Sequence, residues 1–318
     1  MPEPRSILVI KLGAFGDVVQ ALGPFAAIRR HHAGDRLVLL TTRPYAGFLS
    51  ASGLFDAMEI DERPRGADLS GWMGLRRRLR AGGYRRVYDL QTSDRSSFYF
   101  HLFWPGFRPE WSGIARGCSH PHRNPARSTL HTLERHADQL RMAGISDIPA
   151  PDLSWAEADV ARFGLPKRYG LLVPGGAAHR PAKRWPAERF AALALRMTGR
   201  GVTPVLIGTA AEKEALDVIA ATCPAAVNLM GRTDFLDLAV LARGAEMAVG
   251  NDTGPMHAAA VAGCPTIVLY SHESNPALCA QRGRAVRILR KPDLAAVGVD
   301  EVAMYFPDAS HSTNSGDS

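Results

Sequence analysis

Gly250-Asn251-Asp252-Thr253-Gly254-Pro255-Met256-His257 follows the apolar stretch Met247-Ala248-Val249 and runs into the small residues Ala258-Ala259-Ala260. That order reads as a short buried strand, a turn and a helix start, with Asp252 or Thr253 as the cap and His257 in the first helical turn. Backbone N–H groups freed at a helix start, the positive end of the helix dipole and glycines that let a ligand approach together suit a diphosphate. A capped turn with no ligand is the alternative for Asp-Thr-Gly alone. His257 at the same mouth and a second glycine-rich element upstream favour the anion site.

That second element is Val173-Pro174-Gly175-Gly176-Ala177-Ala178-His179-Arg180, followed by Pro181-Ala182-Lys183-Arg184-Trp185-Pro186. A strand ending in Pro-Gly-Gly exposes backbone donors, and the basic residues after it can neutralise a departing diphosphate. Pro186 suits the start of the next helix. Near the N-terminus, Leu12-Gly13-Ala14-Phe15-Gly16-Asp17-Val18-Val19 forms a third strand–turn–helix junction. Its Gly-x-x-Gly spacing and the absence of an acid after the second strand disfavour a nicotinamide dehydrogenase, and no Walker lysine motif is present. Asp17 stands where open α/β sheets bind ligands, just past the C-terminal end of a strand. A helix cap and a catalytic role are both open to it, and one does not exclude the other.

Outward from these junctions the chain alternates strand and helix twice over. Residues 7–12, 36–42, 57–61 and 87–91 are expected strands of a first series, with helices over 17–31 and 130–143. A second series has strands at 169–173, 203–207, 226–229, 247–249 and 266–269, separated by helices at 187–198, 212–221 and 235–242. Such alternation predicts parallel sheets with crossover helices. Pro149 and Pro151 mark the stretch 145–154 as a linker. The expectation is an α/β protein of two Rossmann-like domains facing across a cleft, 1–148 and 149–307, with a disordered polar tail at 308–318.

Length supports two cores, since 318 residues exceed the usual size of one. No run approaches the roughly 20 apolar residues of a membrane span, and residues 7–10 are too short for the apolar part of a signal peptide, which predicts a cytoplasmic protein. Cys118, Cys223, Cys264 and Cys279 have neither Cys-x-x-Cys spacing nor nearby histidine pairs, so free buried thiols are expected and no metal site. The net charge of +7 is uneven: residues 63–127 hold thirteen arginines and no lysine, against Asp68, Asp89, Asp94 and Glu110. That surplus fits nucleic acid, an anionic membrane surface or a phosphorylated substrate. Arg76, Arg77 and Arg78 point in different directions on a helix and read as a solvated face. Arg63 and Arg65, just past the third strand, read as contacts for an anionic ligand.

These residues carry a family resemblance. Gly16-Asp17-Val18 with Ala21-Leu22, Lys183-Arg184-Trp185-Pro186, Leu229-Met230-Gly231-Arg232-Thr233 and Asp252-Thr253-Gly254-Pro255-Met256-His257 resemble, over nearly the whole length, glycosyltransferase family 9, the ADP-heptose:lipopolysaccharide heptosyltransferases. The resemblance implies a GT-B architecture, with the acceptor held mainly by the first domain and the sugar nucleotide by the second. It implies inversion at the anomeric carbon without an obligatory metal or other cofactor. Asp17 matches the general base and Lys183 the basic residue at the donor phosphates. Asp252, Thr253, Gly254 and His257 match the donor loop, alongside Gly175 and Gly176, and Glu212 falls near an acid for the adenosine ribose. Ala177 and Ala178 depart from the family's hydroxyl residues beside the diphosphate. The implied partners are ADP-heptose and a lipopolysaccharide core acceptor, handled at the inner face of the inner membrane, with no nucleic acid. A catalytically silent nucleotide binder and a nucleic-acid-binding protein using the arginine-rich span are the competing readings.

Overall fold

The computed structural model describes residues 6–177 and 179–306, so the tail expected at 308–318 and Ala178 lie outside the described residues. The chain divides into two compact units, Met1–Trp155 and Ala156–Ser318.

The first unit is built on β1 (Ser6–Ile10), β2 (Arg36–Thr41), β3 (Ala57–Ile60), β4 (Tyr84–Asp89), β5 (Glu110–Gly113) and β6 (His120–Pro121). Its helices are α1 (Phe15–Gln20), α2 (Leu22–His31), α3 (Arg43–Ala51), α4 (Leu69–Ala81), α5 (Asp94–Leu102) and α6 (Thr132–Met142). All six strands are parallel in the order β3-β2-β1-β4-β5-β6. β1 is central and its residues Ile7, Leu8, Val9 and Ile10 are fully buried, as a parallel strand covered on both faces must be. Trp111, Tyr99, Phe100 and Phe103 pack with Leu8, Ile10 and Val87 in its core.

The second unit repeats the plan with β7 (Tyr169–Val173), β8 (Thr203–Leu206), β9 (Val227–Asn228), β10 (Ala248–Asn251), β11 (Thr266–Tyr270) and β12 (Val286–Arg290). Its helices are α7 (Ala187–Gly199), α8 (Lys213–Thr222), α9 (Phe235–Gly244), α10 (Gly254–Val261), α11 (Pro276–Cys279) and α12 (Val299–Ala303). The order β12-β11-β10-β7-β8-β9 is the first unit's order read from the other edge, so both sheets are doubly wound. Trp185 and Phe190, ring centroids 4.9 Å apart, anchor the core with Leu172, Leu193 and Leu206.

Three expectations need adjustment. The single helix expected at 17–31 is two, because Pro24 lacks the N–H that would bond back to Gln20; α1 stops at the Ala21 cap and α2 restarts at Leu22. The unit boundary falls after Trp155 rather than after residue 148. The linker packs on the first unit: Leu153 is fully buried and the Trp155 ring lies tilted against Phe48, centroids 5.3 Å apart. The four thiols are free, but Cys279 is only half-buried.

Candidate functional site

In a doubly wound sheet the ligand crevice lies at the C-terminal ends of the two strands between which the order reverses. In the first unit those strands are β1 and β4, which pair with Ile10 opposite Asp89. A cavity of about 720 Å³ opens there, lined by Leu12, Gly13, Ala14, Asp17, Thr42, Tyr45, Arg63, Gln91, Ser93, Asp94 and Arg95 among others. Asp17 sits at the third position of α1, and its Oδ2 accepts the Ala14 N–H at 3.2 Å. It therefore caps its helix while its carboxylate lines the cavity, so both roles left open by the sequence are compatible with its position. Gly13 is required beside it: φ is +126°, and a Cβ there would lie 2.7 Å from Cε2 of Tyr45.

Behind the lining residues Leu12 and Gln91 lie three buried ionisable groups, Lys11, Asp89 and His136. Lys11 is 3% exposed and its Nζ donates to the Leu90 carbonyl at 3.2 Å. Burial lowers its pKa, with Asp17 and Asp89 opposing the shift. Asp89 is fully buried; burial pushes its carboxyl up to about 6, against the N–H donors of Gln91 and Thr92. His136, also buried, is held well below the ordinary histidine range by desolvation and by Lys11.

Arg63 and Arg65 are both exposed, but Arg63 lines the cavity and Arg65 stands outside its lining. The reason is local. Buried Asp61 accepts the Arg63 N–H at 2.8 Å and the Tyr99 hydroxyl at 2.5 Å, which bends the chain so that Arg63 adopts φ 55°. Thr92, fixed by the same kind of bond to Asp89, adopts φ 45°. These two non-glycine residues with left-handed backbone both flank the crevice loops, where strain of about 1–3 kcal/mol each is a hallmark of built sites. Tyr45 and Arg95 were not singled out from the sequence. Arg95 lies in an ordinary helix start, and nothing in its spacing reports that Nη2 reaches the Pro64 carbonyl at 3.0 Å and Nη1 the Tyr99 hydroxyl at 3.2 Å.

In the second unit the order reverses between β7 and β10, so the expected loops meet at the corresponding point. Asn251, fully buried at the end of β10, ties three of them together. Its Nδ2 donates to the carbonyls of Pro174 (2.9 Å) and Gly175 (3.0 Å), and its Oδ1 accepts the Trp185 N–H at 3.0 Å. Arg184 forks onto the Gly176 carbonyl, at 2.6 Å from Nη2, and so holds the loop rather than reaching outward. Glu212 lies against the same loop, its Cγ 3.3 Å from where a Cβ on Gly175 would stand, while its Oε2 accepts the Thr209 N–H at 2.8 Å.

Asp252 is the hub of the second unit's site. Its Oδ2 accepts from Lys183 Nζ at 2.7 Å and from Ser274 Oγ at 2.8 Å, and its Oδ1 from Gln281 Nε2 at 3.2 Å. Burial pushes the Asp252 carboxyl up, but the Lys183 ammonium and the neighbouring hydroxyls outweigh it and leave the group below the usual carboxylate range. Coulomb repulsion makes a carboxylate a poor phosphate ligand; the geometry instead makes Asp252 the group that aims Lys183. Ser274 and Gln281 carry no recognisable motif and were not expected here. α10 begins at Gly254 with Thr253 as N-cap, as expected. The Thr253 hydroxyl, however, donates back to the Asn251 carbonyl at 3.2 Å and makes no cap bond to the helix. First-turn N–H groups left without a side-chain acceptor suit an anion. His257 lies in that turn and is 7% exposed.

The arginine surplus is partly consumed internally. Arg76 bonds the carbonyls of Leu102 and Trp104, Arg78 reaches Glu59 and the Ile60 carbonyl, and Arg86 pairs with Glu110. The solvated helix face expected at 76–78 is realised by the exposed Arg77 and Arg78, whereas Arg76 is half-buried. Among the described residues no group of three or more His, Cys, Asp or Glu could hold a metal ion, and no helix is long and apolar enough to cross a membrane.

Comparison with known proteins bears on the family and the fold. The model of glycosyltransferase family 9 (heptosyltransferase) matches residues 72–294. Lipopolysaccharide heptosyltransferase 2 of Salmonella typhimurium is 29% identical over 255 residues, covering 74% of this chain and 70% of that protein. Among solved structures, the family 9 glycosyl transferase of Veillonella parvula superposes with a TM-score of 0.80 at 20% identity, covering 95% of both chains. The E. coli heptosyltransferase WaaC with ADP gives 0.74 at 20% identity, over 94% of this chain and 98% of that one.

Proposed function

Because the chain belongs to glycosyltransferase family 9, we propose that it transfers a heptose from ADP-heptose to the core of a lipopolysaccharide acceptor, with inversion at the anomeric carbon. The first unit takes the acceptor and the second the sugar nucleotide. Asp17, on the cavity at the β1–β4 switch point, removes the proton from the attacking acceptor hydroxyl. As the hydroxyl oxygen bonds to the anomeric carbon, the bond from that carbon to the diphosphate breaks and ADP leaves. Lys183, held by Asp252, and the open first turn of α10 with His257 balance the negative charge that collects on the diphosphate. Gly175, Gly176, Thr253 and Gly254 present backbone to it, and Glu212 accepts from the ribose. Arg63, joined by Arg95, pairs with acidic groups of the acceptor. The reaction takes place in the cytoplasm, on an acceptor carried by the inner face of the inner membrane.

The observation that carries the reading is the coincidence of both motif sets with the two topological switch points. Purified protein incubated with ADP-heptose and a lipopolysaccharide acceptor lacking its outer heptoses should add one heptose mass per acceptor and release ADP in equal amount. ADP-heptose binding without transfer to any core acceptor would leave a silent nucleotide binder and defeat the proposal.

A further inference from the structure

Of the nine large apolar side chains that stand exposed among the described residues, five fall between residues 69 and 107: Leu69 (70% exposed), Met73 (64%), Phe98 (47%), Trp104 (60%) and Phe107 (72%). They belong to one face. Trp72 of α4 meets Phe98 of α5 edge to face with ring centroids 5.2 Å apart, and Arg76 of α4 bonds the Trp104 carbonyl at 2.9 Å, drawing the 103–108 loop against the helix. Single exposed apolar residues are ordinary, but a contiguous group rimmed by charge marks a surface that meets something apolar.

The rim is cationic. Arg65, Arg77, Arg80 and Arg108 are exposed around this face and have no carboxylate partner among the described residues. Arg108 lies over the Trp104 ring at 4.7 Å. The nearby carboxylate of Asp68 is engaged by the Gly71 N–H at 2.9 Å and the Ser70 hydroxyl at 3.0 Å, as the cap of α4. Tryptophan and phenylalanine flanked by arginines is the composition of surfaces that lie in the headgroup region of a bilayer.

The face is continuous with the cavity of the first unit. An open groove of about 610 Å³ is lined by Gly66, Leu69, Trp72, Arg95 and Phe98, and Arg95 also lines the cavity that holds Asp17. We propose that the face formed by α4, Phe98 of α5 and the loop bearing Trp104 and Phe107 docks onto an anionic lipid bilayer. Its apolar side chains enter the boundary between headgroups and acyl chains and its arginines pair with lipid phosphates. The inference rests on the proposed function, since an acceptor anchored in lipid keeps its saccharide within reach of Arg95 while its acyl chains stay in the bilayer.

The test is co-sedimentation of the full chain with sucrose-loaded vesicles of phosphatidylethanolamine and phosphatidylglycerol, against vesicles of phosphatidylcholine. The wild type should bind the anionic vesicles more strongly, and salt should weaken that binding. The variant Leu69→Ser/Met73→Ser/Phe107→Ser, at exposed positions, should lose about tenfold or more in vesicle affinity. Its thermal midpoint, ADP affinity and turnover on a delipidated saccharide acceptor should match the wild type. Quenching of wild-type tryptophan fluorescence by brominated acyl chains gives a readout that needs no substitution. Equal vesicle binding by wild type and variant, or no binding by either, overturns the proposal. So does a wild-type dimer in solution that the triple substitution abolishes, which would make the face a contact between copies. Vesicle binding that depends on the face, in a protein that transfers no sugar to either acceptor, supports the docking and instead defeats the proposed reaction.

Discussion

At the scale of single residues the site of each unit makes its own demands. Asp17→Asn keeps a side chain of the same size but removes the base, so turnover should fall about 10²–10⁴-fold while ADP affinity is unchanged; a variant within a few-fold of wild type would leave Asp17 only as the cap that its bond to the Ala14 N–H already makes it. Lys183 and Asp252 touch at 2.7 Å and must act as a unit. Lys183→Ala and Asp252→Asn should each weaken ADP binding, and the double variant should lose less than the sum. Calorimetric additivity of the two losses would refute the idea that Asp252 works by aiming the lysine. For the acceptor, Arg63→Ala and Arg95→Ala should each raise its Michaelis constant and spare ADP affinity, whereas Arg65→Ala should do little, because only the first two line the cavity. A titration in which Arg65→Ala behaves like Arg63→Ala would contradict that division. Legibility differed by residue. Asp17, Lys183 and the Asp252–His257 run stood out because a turn after an apolar stretch announces itself locally. Arg95 and Gln281 did not, since their relevance comes from what they meet in space.

Among the elements, β10 and α10 show most clearly how tightly the site is built. Gly250 pairs opposite Val173, and a Cβ at that position would stand 2.6 Å from Met256 Sδ, 2.7 Å from Val173 Cβ and 2.8 Å from the Val173 carbonyl oxygen. Backbone cannot yield there as a flexible side chain would. Gly250→Ala should therefore cost about 1–3 kcal/mol and lower the melting temperature by several degrees, read by calorimetry. An unchanged midpoint would mean that the strand and α10 can separate without cost. The second series of strands was legible almost to the residue, as β7 and β11 show, because central parallel strands are uninterrupted apolar runs. α3, α5, β5, β6 and β12 were not anticipated: of the strands, His120–Pro121 is a two-residue edge strand, Glu110–Gly113 beside it is largely buried but reads Glu-Trp-Ser-Gly, and Val286–Arg290 carries two arginines, so none shows an uninterrupted apolar run. Their place is fixed by pairing to a neighbour already in the sheet.

For the molecule as a whole, the buried ionisable groups beneath the first crevice tie stability to pH. His136 is held neutral when folded, so its contribution is full above its unfolded pKa of about 6.5 and is lost as pH falls below it, at up to about 1.4 kcal/mol per pH unit. Asp89 acts in the opposite sense. Its carboxyl is raised to about 6 in the folded state, so it takes up a proton there first and restores stability between about 6 and its ordinary 3.8. Asp89→Asn should remove that compensation and steepen the acid loss below pH about 6, measured as denaturant midpoints across pH. Parallel profiles for the two proteins would show that Asp89 titrates normally. The sequence by itself determined the two-unit α/β plan, the strand–turn–helix junctions and the family, because apolar runs, glycine turns and caps act over a few neighbouring residues. Only the tertiary structure decided which of those junctions form a crevice, that Asp252 serves Lys183, that Arg63 and not Arg65 lines the cavity, and that the linker belongs to the first unit. Those outcomes depend on the reversal of strand order and on contacts such as Asp61 with Tyr99, whose partners lie 38 positions apart in the chain. No local pattern encodes such a distance; burial and hydrogen bonding impose it once the sheet has closed.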